Sequence, residues 1–76
     1  MDEVVKAFME DNYLKCGEAF FTEALPGYAC YIDEKGDLFV NRPEWDDYKW
    51  VDEMWLGFII RTTCDKKIGY RIWRAF

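Results

Sequence analysis

Fifteen aromatic side chains, six Phe, five Tyr and four Trp, are spread over a chain of only 76 residues. That density constrains the fold more than any other feature. A chain this short buries only about 60% of the surface its unfolded form exposes, so its core holds few side chains. Aromatic rings bury more area per residue than any other type. The chain, residues 1–76, is therefore expected to fold as one small globular domain without disulfide or metal staples. Disorder is not expected, because 51% of the residues are hydrophobic even though 33% are charged.

The residue types that are missing narrow the chemistry. There is no His, Ser or Gln. A Ser-His-Asp triad, a Cys-His pair, a His general base and any His-containing metal site are thereby excluded. The three cysteines, at 16, 30 and 64, form an odd set with no CxxC pair, unlike the dense even sets of secreted mini-proteins. Met1 to Val5 lacks the basic start and apolar stretch of a signal peptide. The longest apolar run, Met54 to Ile60, is too short to cross a bilayer. These features point to a cytoplasmic protein with reduced thiols, all three cysteines serving as small buried hydrophobes. No local knuckle supports a zinc site.

Periodicity suggests an α+β architecture, with one long N-terminal helix packed on a three- or four-stranded antiparallel sheet of two hairpins. Asp2 to Leu25 reads as the helix. Val5, Met9, Tyr13, Cys16, Phe20 and Ala24 fall on one face at spacings of three and four. Gly17 marks a bend in it, and Pro26-Gly27 ends it. Tyr28 to Ile32 and Asp37 to Asn41 flank Asp33-Glu34-Lys35-Gly36, a hairpin signal with Tyr28, Cys30 and Ile32 on one face. Asn41-Arg42-Pro43-Glu44 can cap a helix reaching about Glu53, while Tyr48 to Asp52 also alternates well enough for an edge strand. Periodicity does not separate the two, and a short helix is slightly favoured. Met54 to Thr63, β-branched and apolar, reads as a strand, Cys64 to Gly69 as a second hairpin loop, and Tyr70 to Phe76 as the last strand.

Catalytic machinery is hard to assemble from what remains. The five glycines are isolated, so no phosphate-cradling loop exists. The carboxylate pairs Asp46-Asp47 and Asp52-Glu53 have no apolar bracket that would raise one pKa. Asp33 to Asp37 lacks the spacing of a calcium loop. No enzyme activity, metal or cofactor is expected.

The segment that stands out runs from Glu44 to Trp55. It carries three Trp and a Tyr among five acids. Trp and Tyr dominate interface hot spots, and acids around them steer basic partners. Glu44, Trp45, Asp46, Asp47, Trp50, Asp52 and Glu53 are the candidate partner-binding residues, with Glu10, Asp11 and Glu18 as a second acidic flank. The charge is also divided along the chain. Residues 1–57 hold fourteen acids against five bases, net −9, and residues 58–76 one acid against five bases, net +4. The bases and aromatics of the last stretch, Arg61, Lys66, Lys67, Tyr70, Arg71, Trp73 and Arg74, use the vocabulary of nucleic-acid binding. A pI near 4.6 argues against direct binding of nucleic acid.

The expected function is that of a small acidic, non-enzymatic protein that occludes a basic surface of a larger partner, a nucleic-acid-handling enzyme or complex. In size and charge, though in no motif, the chain resembles phage-encoded inhibitors such as anti-restriction and anti-CRISPR proteins. That likeness implies carboxylates presented where a partner expects phosphates. A homo-oligomeric structural or accessory subunit is the alternative, a homodimer in which the oppositely charged ends meet. No membrane partner is expected.

Overall fold

A computed structural model describes residues 1–75. In chain order the elements are α1 (Glu3–Asp11), β1 (Phe20–Thr22), β2 (Ala29–Ile32), β3 (Leu38–Asn41), β4 (Lys49–Val51), α2 (Glu53–Cys64) and β5 (Ile72–Arg74). The strands form one antiparallel sheet in the order β4-β3-β2-β1-β5, so the architecture is α+β. Among the described residues no helix is long and apolar enough to cross a membrane.

The β2–β3 hairpin forms the centre of the sheet as its alternation requires, pairing Cys30 with Val40 and Ile32 with Leu38. Its turn is held by Asp33, whose Oδ1 accepts from the backbone N–H groups of Lys35 and Asp37, both at 3.0 Å. Gly36 sits at φ +91°, where a side chain would be strained, and an added Cβ would lie 3.2 Å from Met1 Cγ.

The N-terminal helix is short rather than long: nine residues, not twenty-four. The threefold and fourfold spacing continues past Asp11, but the backbone does not. Tyr13 takes a left-handed φ of 58°, and Leu14 N–H reaches back to the Met9 carbonyl at 2.9 Å. This is a Schellman closure with a buried residue, Leu14, just beyond it. Tyr is a poor occupant of the left-handed position. Tyr13→Gly is expected to stabilise the fold by about 1 kcal/mol, read as a higher urea midpoint at unchanged slope. Beyond this stop the apolar residues Phe20 and Thr22 belong to β1, which pairs with β2 on one side and β5 on the other. Five strands, rather than three or four, follow from this extra member.

Residues 42–48 are a loop, not a helix. Asn41 Oδ1 accepts from the next N–H, Arg42, at 2.8 Å and caps nothing. The alternating end of the segment forms β4, an edge strand with Leu38 opposite Val51 and Phe39 opposite Trp50. The expected strand from Met54 to Thr63 is instead α2. Its start signal is Asp52, whose Oδ1 accepts from Met54 N–H at 3.0 Å, followed by Glu53 in the positive first turn. Leu56, Ile59 and Thr62 bury one stripe of it, and Thr62 Oγ1 donates to the Phe58 carbonyl at 2.7 Å.

The residues after α2 do not close a second hairpin. They deliver β5 to the opposite edge of the sheet, where Thr22 pairs with Ile72 and Phe20 with Arg74. Twelve helical residues span about 18 Å, and four interstrand steps about 19 Å. α2 with the residues that follow it, 65–71, therefore carries the chain from one sheet edge to the other. Phe76, which the sequence assigns to this last strand, lies outside the described residues.

The core fills one side of the sheet. Phe20, Cys30, Ile32, Leu38 and Val40 pack with Phe8 and Met9 of α1 and Leu56 and Ile59 of α2. Only one cysteine is buried: Cys30 is enclosed, while Cys16 and Cys64 are exposed. The loop that follows Tyr13 and the last position of α2 place those two outside the core.

Candidate functional site

Strand alternation sends every second residue away from the helices, and on this sheet all of those but Ala29 and Asn41 are aromatic. Phe21 of β1, Tyr31 of β2, Phe39 of β3, Trp50 of β4 and Trp73 of β5 share the side that faces away from the core. Tyr31 and Phe39 stack at 4.9 Å with an interplanar angle of 9°. Tyr48 meets Tyr31 edge-on at 4.8 Å, and Phe21 stacks on Trp73 at 6.1 Å. The inner rings shelter one another and are half-buried, whereas Trp50 and Trp73 at the two edges are 56% and 49% exposed. A monomer rarely leaves a continuous apolar patch of this kind uncovered unless something binds there.

The seven residues proposed from sequence divide by role. Trp45 is not at the surface patch. It turns to the core side and packs against Tyr28 at 5.8 Å, which in turn meets Trp55 at 5.9 Å. Two bases close this cluster: Arg42 lies 4.9 Å over Tyr28 and Lys49 4.5 Å over Trp45. The Trp surplus therefore has two fates, with Trp45 and Trp55 half-buried and Trp50 exposed.

Glu44 is exposed, but it is already engaged by Arg42 Nε at 2.6 Å. That hydrogen bond holds its carboxyl below the usual range, so Glu44 stays ionised. Asp52 is committed to the start of α2. Asp46, Asp47 and Glu53 are exposed, and Asp47 accepts only from its neighbour's amide, Tyr48 N–H, at 2.7 Å. Along the chain these acids lie on either side of Trp50, in the loop before β4 and at the start of the helix after it.

The second acidic flank does not form as one face. Glu10 and Asp11 occupy the last positions of α1, but Glu18 lies in the loop beyond it and is half-buried. Its Oε1 is enclosed with no hydrogen-bond partner. The early stop of α1 at Asp11 separates the three.

Matches to known proteins add no further guide. No family model, curated protein or solved structure matches this chain. Its chemistry rests on its own residues.

Among the described residues no three His, Cys, Asp or Glu side chains converge on a point that could hold a metal ion. Burial pushes the Cys30 thiol up to about 12, which leaves it protonated and inert as a nucleophile at neutral pH. The division of charge along the sequence carries only in part into the sheet, since Lys49 lies on β4 and Glu23 pairs with Arg71 beside β5. β4, bracketed by Asp46, Asp47 and Glu53, and β5, preceded by Lys66 and Lys67 and carrying Arg74, lie at opposite edges of the sheet. At the β5 edge, Arg71 gives Glu23 both its backbone N–H at 2.8 Å and its Nε at 3.2 Å. The backbone bond is the main cause of the lowered Glu23 pKa.

Sequence reasoning missed Phe21, Tyr31, Phe39 and Tyr48. The signal was present in the hairpin, since a face made of Tyr28, Cys30 and Ile32 leaves Tyr31 and Phe39 on the other. What the alternation could not supply was which of the two faces the helices cover.

Proposed function

We propose that the protein is a non-enzymatic binding module that covers a basic, nucleic-acid-binding surface of a larger protein. Trp50 is the apolar anchor, and Asp46, Asp47 and Glu53 are the flanking charges. The observation that carries this reading is Trp50 itself: a large indole, more than half exposed, on an edge strand whose flanking segments carry carboxylates in the sequence. Buried aromatics at the centre of an interface contribute most of its binding energy, while rim charges accelerate association. The mode of action is that of the small phage-encoded inhibitors the chain resembles in size and charge.

A protein rather than a nucleic acid is supported by the rings themselves. Base stacking needs a free aromatic face, and Tyr31 and Phe39 already cover each other.

The test is a tagged capture from nuclease-treated host lysate with wild type and two variants, followed by kinetics on the recovered partner. Trp50→Ala is expected to raise the dissociation rate about thirtyfold, equivalent to about 2 kcal/mol. Asp46→Lys with Asp47→Lys is expected to slow association and flatten its salt dependence. If both variants fold and bind as wild type does, the site is elsewhere.

Self-association is the second reading, favoured by the acidic β4 edge and the basic β5 edge. Two copies can lay their aromatic faces together with each acidic edge over the other's basic edge. A monomer on a sizing column across the micromolar range would remove it.

A further inference from the structure

One groove of the structure is lined by both apolar and acidic side chains. It lies on the core side of the β4 edge, where the starts of α1 and α2 meet the start of β3 and the end of β4, and it encloses about 410 Å³. Leu38, Val51, Leu56 and Ile60 form its floor. Asp2, Asp37, Asp52 and Glu53 stand around it, and no Lys or Arg lines it.

The four carboxylates are not equivalent. Asp2 Oδ1 accepts from Val4 N–H at 2.7 Å and Asp52 Oδ1 from Met54 N–H at 3.0 Å, so each is partly offset by a helix start. Asp37 and Glu53 make no side-chain hydrogen bond or ion pair among the described residues. Gly57 completes the groove from α2. A glycine inside a helix destabilises it relative to any residue with an unbranched side chain. Packing does not require one here, since a Cβ at Gly57 would meet nothing within 4 Å. What its bare backbone does is leave the groove open.

We propose that this groove receives a lysine or arginine side chain of the protein's partner. Its methylenes lie on the apolar floor and its charge rests at the Asp37 and Glu53 carboxylates. Long basic side chains combine an apolar stem with a charged tip, and only that combination satisfies both parts of this lining. The inference rests on the reading that the partner is basic and names how one of its residues is held.

The test is an NMR titration of the labelled full-length chain with N-acetyl-arginine methylamide and N-acetyl-lysine methylamide, against the uncharged N-acetyl-norleucine methylamide. At least one cationic probe is expected to give saturable amide shifts at Val51, Leu56, Gly57 and Ile60, half-complete at roughly millimolar concentration, as suits a ligand of one side chain. Asp37→Asn with Glu53→Gln is expected to weaken it about fivefold. Gly57→Leu is expected to abolish the shifts while leaving the thermal midpoint equal to or above wild type. That variant separates a filled groove from a damaged fold. Absence of saturable shifts with both cationic probes, equal binding of the norleucine probe, or unchanged binding in Gly57→Leu would each overturn the proposal. The probes contain no partner protein, so their failure leaves the Trp50 surface untouched. Failure of the Trp50 and Asp46-Asp47 variants to alter partner binding would refute that surface without bearing on the titration.

Discussion

Phe20→Ala is expected to cost the fold about 3–5 kcal/mol, while Phe21→Ala, one residue along the same strand, costs about 0.5–1.5 kcal/mol. Phe20 is 1% exposed and lies on β1, which hydrogen-bonds to β2 on one side and β5 on the other. Truncating a fully buried Phe costs about 3–5 kcal/mol in lost burial and residual cavity. A 76-residue domain has about 4–11 kcal/mol in total, so the variant loses much of its stability and weakens the strand that holds β5 in place. Phe21 faces the other way, and its main contact is the stacked Trp73. Losing such a half-exposed aromatic pair costs about 0.5–1.5 kcal/mol. Urea denaturation of the two variants side by side checks the difference. Equal losses would mean that β1 does not present these faces as described.

The second large effect is alkaline. In the unfolded chain the Cys30 thiol ionises near its ordinary value of 9.0, whereas burial in the folded chain holds its proton to about 12. Between those values the unfolded state releases a proton that the folded state keeps. Each pH unit in that window therefore draws the equilibrium toward unfolding by about 1.4 kcal/mol. The contribution is fully present below pH 9, and about 4 kcal/mol of it is lost by pH 12. Cys30→Ala removes this slope, and its difference from wild type isolates the thiol together with its coupling to Tyr48. A thiol reagent at neutral pH should label exposed Cys16 and Cys64 at once and reach Cys30 only on unfolding. Rapid labelling of all three thiols in the folded protein would contradict the burial of Cys30.

The elements that were legible in the sequence are those whose determinants are local. The Asp33–Asp37 turn is written in five residues, with Asp33 as the acceptor and Gly36 at the left-handed position, and the hairpin register follows from it. Trp50 among its acids was visible as an anchor candidate for the same reason. Two errors came from treating periodicity as sufficient. The stripe from Val5 to Ala24 fits a helix throughout, yet the Tyr13 reversal halts it, and nothing in Asp11-Asn12-Tyr13 announces a left-handed residue as a glycine would. Met54 to Thr63 fits strand by composition, yet Asp52 provides a helix cap whose signal is two residues upstream of the run.

The pairing of β5 with β1 lies beyond any local pattern, because the partners are some fifty positions apart, with three strands and α2 between them in the chain. The same holds for the aromatic face and the groove. Sequence alternation assigns Tyr31 and Phe39 to one side and Cys30 and Val40 to the other, but both sets are apolar enough to be core. Where α1 and α2 settle decides between them, since one helix layer can cover only one face of a sheet. The amino-acid order by itself determined an α+β chain with a central acidic-turned hairpin, an acidic, Trp-rich segment around Trp50, and no His- or Ser-based chemistry. The tertiary structure alone decided which aromatics are surface, that β4 and β5 form opposite sheet edges, and that Asp37, Glu53 and Gly57 share one groove. The physical reason is that exposure is a property of packing between distant elements, which no window of neighbouring residues contains.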